Sequence, residues 1–188
     1  MRQVWSLLLL TAIAFPLVAA DFGGGDVFGQ AGLYTELGSG GGSWPIFGGG
    51  GGVNLGSHAG VFGEFDYIHA NQAVFGAGAS GNLYQAGGGA RIFIPVHNDR
   101  FRPYVLVAGG YMHGTAQATI YYDLVGAIIL REAQNGGYAG PGAGAEIGLT
   151  KRLGLRPEFR FFHEFWGASD DDNGLRVTLG VYYRFGAK

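Results

Sequence analysis

Cysteine is absent from the 188 residues, which removes disulfide frameworks, thiolate metal sites and thiol chemistry. Charged residues are scarce at 14%, against about 25% in ordinary globular chains. The formal net charge is −2 and no basic run occurs, so a nucleic-acid partner has no electrostatic footprint. Long apolar runs are missing too: the stretch at 7–15 falls short of the roughly 20 residues that a membrane-spanning helix needs. What is abundant is glycine, with 38 residues, and aromatics at 14%. No strict Gly-X-Y period runs through the chain, and it is too aromatic for disorder, so collagen-like and unfolded readings both fail.

The first twenty residues read as a cleaved signal peptide. Arg2 supplies a positive start, 7–15 an apolar core, and Val18-Ala19-Ala20 the small residues that precede cleavage before Asp21. The expected organisation is a leader over 1–20 and one exported domain over 21–188. Any membrane role of that domain falls to strands.

Period-two alternation is clearest at the C-terminal end. Leu175, Val177, Leu179, Val181, Tyr183 and Phe185 form one set, Arg176, Thr178, Gly180, Tyr182 and Arg184 the other. The preceding segment opposes Leu153, Leu155, Pro157, Phe159, Phe161 and Phe165 to Arg156, Glu158, Arg160, Phe162 and Glu164. A helix needs apolar residues at i, i+3 and i+4, which neither segment supplies. Weaker alternation marks strands near 30–37, 61–68, 85–94 and 139–150, and segments near 47–55 and 101–113 add two of ambiguous parity. The expected fold is all-β: an eight-stranded antiparallel transmembrane up-and-down barrel. Connections near 56–60, 96–100 and 150–152 are short, those near 39–45, 70–81, 114–136 and 167–173 long. Strict alternation of short and long is the asymmetry of barrels with short periplasmic turns and long extracellular loops.

One face gathers the ionic groups: Glu36, Glu64, Asp66, Glu146, Glu158 and Glu164 against Arg91, Arg156, Arg160, Arg176 and Arg184. A soluble barrel would be apolar inside and charged outside. The reverse distribution follows from a lipid solvent, where an arginine at mid-membrane costs about 2–4 kcal/mol. Eight strands leave an interior just wide enough for side chains, so these eleven residues are expected to form a lumen ion-pair network rather than line an open channel. Glycines at 48–52, 87–89 and 140–144 then offset the bulk of Arg, Tyr and Phe, or else leave room for a water passage.

Three stretches carry a family resemblance: the closing strand ending in Tyr183 and Phe185, Arg102-Pro103-Tyr104 leading to Gly109-Gly110-Tyr111, and Leu153-Gly154-Leu155-Arg156-Pro157-Glu158-Phe159. Each resembles the eight-stranded outer-membrane barrels of the outer-membrane protein A and outer-membrane protein X kind. The resemblance implies residence in the cell outer membrane among its lipids. It also implies a barrel-assembly signal at Tyr183 and Phe185, read by the assembly machinery, and a structural or adhesive role.

Candidate chemistry is sparse. His69, His113 and His163 lie near the extracellular ends of strands three, five and seven, without the paired spacing of a metal site, and His58 and His97 lie in short turns. His163-Glu164 with Ser169 imitates the constellation of a lipid A-modifying enzyme but lacks its His-x-Ser pairing. The glycine run at 48–52 has no Gly-Lys-Ser/Thr after it and is no phosphate loop, and Asp170-Asp171-Asp172 reads as a solvated loop tip. No catalytic residue, metal or cofactor is assigned. The long loop is unusually apolar: Ile120, Tyr121, Tyr122, Leu124, Ile128, Ile129 and Leu130 fit either a protruding hairpin or an interaction surface for an extracellular partner. A structural or surface-interaction barrel is the reading, with a small-solute pore and a lipid-modifying enzyme as rivals.

Overall fold

The computed structural model describes residues 22–38, 41–74, 77–98, 100–122, 126–166 and 172–186, with side chains for all of these except 22–23, 71–79 and 119–128. The expected leader, Leu124, Ser169, Asp170 and Asp171, and the side chains of Ile120, Tyr121, Tyr122 and Ile128, therefore lie outside the described set. Eight strands follow in chain order: β1 (Phe22–Glu36), β2 (Ser43–Leu55), β3 (Ala59–Val74), β4 (Ala77–Phe93), β5 (Phe101–Tyr122), β6 (Gly126–Gly148), β7 (Leu153–Phe165) and β8 (Asp172–Phe185). Each pairs antiparallel with its sequence neighbour, and β1 pairs with β8 from Gly25↔Phe185 to Glu36↔Gly174, closing the barrel without an edge.

Inward and outward positions alternate along each strand, even numbers inward on every strand but β4, where the odd-numbered Gln85, Arg91 and Phe93 point inward. β2 points Ile46 and Asn54 inward, β5 Tyr104, Leu106, Ala108 and Met112. Both strands are glycine-rich or apolar on their two faces, which is why alternation alone leaves them ambiguous. The outward surface is apolar, with Val27, Leu33, Phe47, Phe65, Ile92, Val107, Phe159 and Val177 about half exposed.

Two of the expected long loops are instead strand. β3 and β4 pair up to Val74↔Ala77, and β5 and β6 up to Tyr122↔Gly126. Beyond the lipid-facing band the hairpins have no greasy side to maintain, so the ladder continues while the alternation that betrays it disappears. At the other end Gly56 turns the chain from β2 to β3 with φ +68°; a Cβ there would meet nothing, so backbone conformation rather than space selects glycine.

Inward glycines elsewhere answer to volume. A Cβ at Gly144 would lie 2.6 Å from the Tyr104 hydroxyl, one at Gly142 2.7 Å from Arg160 Cγ and one at Gly50 2.9 Å from Phe28 Cζ. Large side chains thus lie across bare backbone on adjacent strands, and the lumen fills.

Candidate functional site

The filled lumen is layered along its axis. Nearest the short turns, Asp26 and Glu146 share Arg156, whose Nη2 lies 2.8 Å from each carboxylate. Glu146 also holds Arg184 at 2.6 Å and Arg102 at 3.3 Å, and Arg91 approaches Asp26 at 3.6 Å. In this layer arginines outnumber carboxylates. The next layer reverses the balance. Glu64, Asp66 and Glu158 surround Arg160 and Arg176: Arg176 lies 2.5 Å from Asp66, 3.1 Å from Glu64 and 3.4 Å from Glu158, and Arg160 bonds Glu64 and, at 2.6 Å, Glu158. Gln30 donates to Asp66 at 2.7 Å and the Tyr104 hydroxyl to Glu158 at 2.7 Å, so remaining lone pairs are used.

Aromatic rings supply what the carboxylates do not. Arg91 leaves Nε and Nη2 without hydrogen-bond partners, and its guanidinium lies 4.3 Å over Phe62, with Phe28 and Tyr104 further out. Arg156 stacks on Phe28 and Tyr182, Arg160 on Phe62, and Arg176 on Phe162. A weakly hydrated planar cation suits such desolvated ring faces. Above the ionic layers two apolar clusters, Met112 with Tyr138 and Phe162 and Tyr34 with Ile46 and Ile68, close the section.

Beyond them lies a mouth of about 560 Å³ at the long-hairpin end, lined by Tyr34, Trp44 and Trp166 and by Glu36, Glu132, Glu164 and Asp172. Glu36 and Glu164 were expected within the ion-pair network. Among the described residues no arginine bridges either one. Glu164 instead accepts from the Tyr34 hydroxyl and, at 3.2 Å, from Trp166 Nε1. Glu36 sits beyond the apolar outward band, where burial and the neighbouring Asp172 and Glu164 carboxylates push its carboxyl up to about 7. The other nine expected members all lie within the two ionic layers. Asp26, Gln30 and Arg102 belong there as well without having been expected. Continuing the even-numbered parity of β1 back from Gln30 through Phe28 would have reached Asp26; Arg102 starts the strand of ambiguous parity.

The three histidines face outward on different hairpins, each against an asparagine of the neighbouring strand, and do not converge. Tyr183 and Phe185 are exposed on the outer face at the short-turn end, where Arg152 donates to the Tyr183 hydroxyl at 3.2 Å. Ile129 and Leu130 stand about half exposed on β6, well past the apolar band.

The comparisons agree with this architecture. The family model described as "Outer membrane protein beta-barrel domain" matches residues 5–185. No curated protein matches the chain. Among solved structures, Neisserial surface protein A (NspA) superposes with a TM-score of 0.65 at 15% identity, covering 88% of this chain and 99% of that one. Ail, the attachment invasion locus protein of Yersinia pestis, gives 0.61 at 16% identity over 86% and 99%. The outer membrane protease OmpT of Escherichia coli gives 0.52 at 9% identity over 88% and 98%. At these identities the likeness is one of fold.

Proposed function

Because the chain belongs to the outer membrane protein beta-barrel domain family and is an integral barrel of the cell outer membrane, we propose that it is a non-enzymatic surface-interaction protein, working through its extracellular hairpins around a sealed lumen. The observation that carries this reading is the β5–β6 hairpin. β6 pairs with β7 only up to Gly137↔Phe165, whereas its pairing with β5 runs on to Tyr122↔Gly126. Among the described residues no neighbour on that side pairs with β6 from 126 to 135, the stretch that carries exposed Ile129 and Leu130. Unpaired backbone beside exposed apolar side chains is a template for a partner that adds a strand.

Charge narrows the partner. Ail has been solved with the heparin analogue sucrose octasulfate, a polyanion. Here the mouth presents Glu36, Glu132, Glu164 and Asp172 with no basic residue in its lining among the described residues, so a polyanion is repelled and a neutral or cationic partner is favoured. The two stacked ionic layers argue against a metabolite-sized pore. We assign the exposed aromatic end of β8, Tyr183 and Phe185, to recognition by the barrel-assembly machinery.

The test removes residues 120–130 and bridges the hairpin with a short glycine turn. Cells displaying the shortened protein should lose adhesion to surfaces coated with extracellular-matrix protein at least tenfold, while the barrel keeps its heat-dependent gel mobility. Persisting adhesion refutes the assignment to this hairpin. Nanosiemens steps from the intact protein in planar bilayers refute the sealed lumen.

A further inference from the structure

Three of the four hairpins repeat one arrangement on the outward face. His69 opposes Asn82 across β3 and β4, His113 opposes Asn135 across β5 and β6, and His163 opposes Asn173 across β7 and β8. Each imidazole Nδ1 lies within hydrogen-bond distance of the asparagine Oδ1, at 2.8, 2.7 and 3.1 Å. The remaining hairpin places Thr35 opposite Ser43, hydroxyls 2.9 Å apart. In two pairs a tyrosine two residues nearer the membrane shares the oxygen: Tyr67 donates to Asn82 at 2.7 Å and Tyr111 to Asn135 at 2.5 Å. Phe161 holds the matching place before His163.

The shared oxygen fixes the chemistry. With Asn Oδ1 accepting, each of these two imidazoles carries its proton on Nδ1, so Nε2 is an acceptor and the asparagine Nδ2 a pair of donors. Flat rings lie alongside: Tyr84 stacks with His113 at 6.5 Å and tilts against Tyr67 at 5.3 Å, and Phe165 packs edge-on to His163 at 4.7 Å. All of this sits where the apolar band ends and Ser80, Thr115 and Gln117 begin. The opposite rim is different in kind, with exposed Arg100, Lys151 and Arg152 suited to phospholipid phosphates.

We infer that the His–Asn pairs form a girdle of binding sites, one per hairpin on three hairpins, for the saccharide head group of an outer-leaflet glycolipid. The argument is complementarity of place and chemistry. The groups face lipid at head-group depth on one leaflet only. On β3–β4 and β5–β6 they offer donors and acceptors in fixed pairs, which match vicinal hydroxyl and amide groups of a sugar. The adjacent rings offer π faces to pyranose C–H bonds, as aromatic side chains do wherever one end is apolar and the other wet. No lysine or arginine belongs to any pair, so phosphate is not what the pairs select.

Native mass spectrometry of the full-length protein, released from nanodiscs holding equal amounts of lipid A and phosphatidylethanolamine, tests this. The wild type should retain lipid A preferentially, and fully dephosphorylated lipid A equally well. The triple variant H69A/H113A/H163A should lose at least tenfold of the preference. Each single histidine variant, in which two girdle sites survive, should retain one glycolipid fewer, so the test stands even where the triple variant lacks folded gel mobility. Absence of preference in the wild type, undiminished retention in the variants, or retention that vanishes on dephosphorylation would each overturn the inference.

Discussion

Arg176→Met is the substitution that tests the sealed lumen most directly. The guanidinium is fully buried and lies between Asp66 at 2.5 Å, Glu64 at 3.1 Å and Glu158 at 3.4 Å. In its layer two arginines face three carboxylates; losing Arg176 leaves one against three, crowded in a volume from which water is excluded. Breaking a buried pair by removing one member costs about 3–5 kcal/mol, because the orphaned charge cannot return to water. That is roughly two to three and a half decades in the folding equilibrium constant, at about 1.4 kcal/mol per decade. Urea titration of the barrel in lipid vesicles, followed through Trp44 and Trp166 at the mouth, reads the loss. Adding Asp66→Leu to the variant should recover most of it, since an apolar pair of similar volume often replaces an ion pair without penalty. The coupling between the two sites should exceed about 1 kcal/mol, as for residues sharing one network. A single-variant loss below about 1 kcal/mol would mean that the guanidinium is solvated in the native protein, and the account of a dry ionic plug fails.

Further outcomes follow from neighbouring contacts. Glu158→Ala brings the same layer to charge balance while orphaning the Tyr104 hydroxyl, so it should lower the thermal midpoint in detergent by less than Arg176→Met, about 1–3 kcal/mol; an unchanged midpoint counts against its interior role. Gly140→Ala drives a Cβ into the Phe161 carbonyl and to 2.9 Å from Phe162 Cα, backbone that cannot step aside. It should cost about 1–3 kcal/mol, whereas Gly63→Ala, 3.7 Å from its nearest neighbour, should stay within about 0.5 kcal/mol; equal effects in urea titration would refute the volume argument. Glu36 has its folded pKa raised to about 7, so its contribution is complete below the unfolded carboxyl range and lost as pH rises through 7. Glu36→Gln should therefore stabilise the protein at pH 8 by no more than about 1 kcal/mol, given a carboxyl half open to solvent, and make no difference near pH 4; a gain that is the same at both pH values would sink the assignment.

How much could be read without coordinates differs from strand to strand, for a physical reason. β7 and β8 separate lipid from lumen at every step, with Arg156, Glu158, Arg160 and Arg176 opposite Phe159, Phe161, Val177 and Leu179. Such a contrast fixes strand type, face and closure together. β2 and β5 carry glycine or small apolar residues on both faces, so their parity became visible only through the registers Gly48↔Asp66 and Leu106↔Arg91. Which charges pair was not legible at all. Asp26 and Arg156 are 130 residues apart, and their contact depends on the stagger of β1 on β8 and of β8 on β7 around the closed wall. The carboxylates at the mouth look like network members by parity, yet Glu164 finds Tyr34 and Trp166 because the arginines lie one layer below it. The His–Asn pairs were hidden for the same reason: His113 and Asn135 are 22 positions apart, and only the hairpin register makes them neighbours.

The proposed seal and the stability of this barrel have a common origin. Gly142 is bare because Arg160 lies over it, and Gly144 because Tyr104 does; those same side chains hold Glu64 and Glu158. Neither Arg160 nor Tyr104 is therefore available to open the lumen without also loosening the wall. In a protein selected to conduct, permeability could be tuned by lumen substitutions while the lipid-facing surface and backbone ladder held the fold. Here conductance should appear only in variants that have already lost several kcal/mol, Arg176→Met first among them. If planar bilayers record open-channel steps from a lumen variant as stable as the wild type, the two properties are separable and the case for a surface role built on a closed barrel loses its footing.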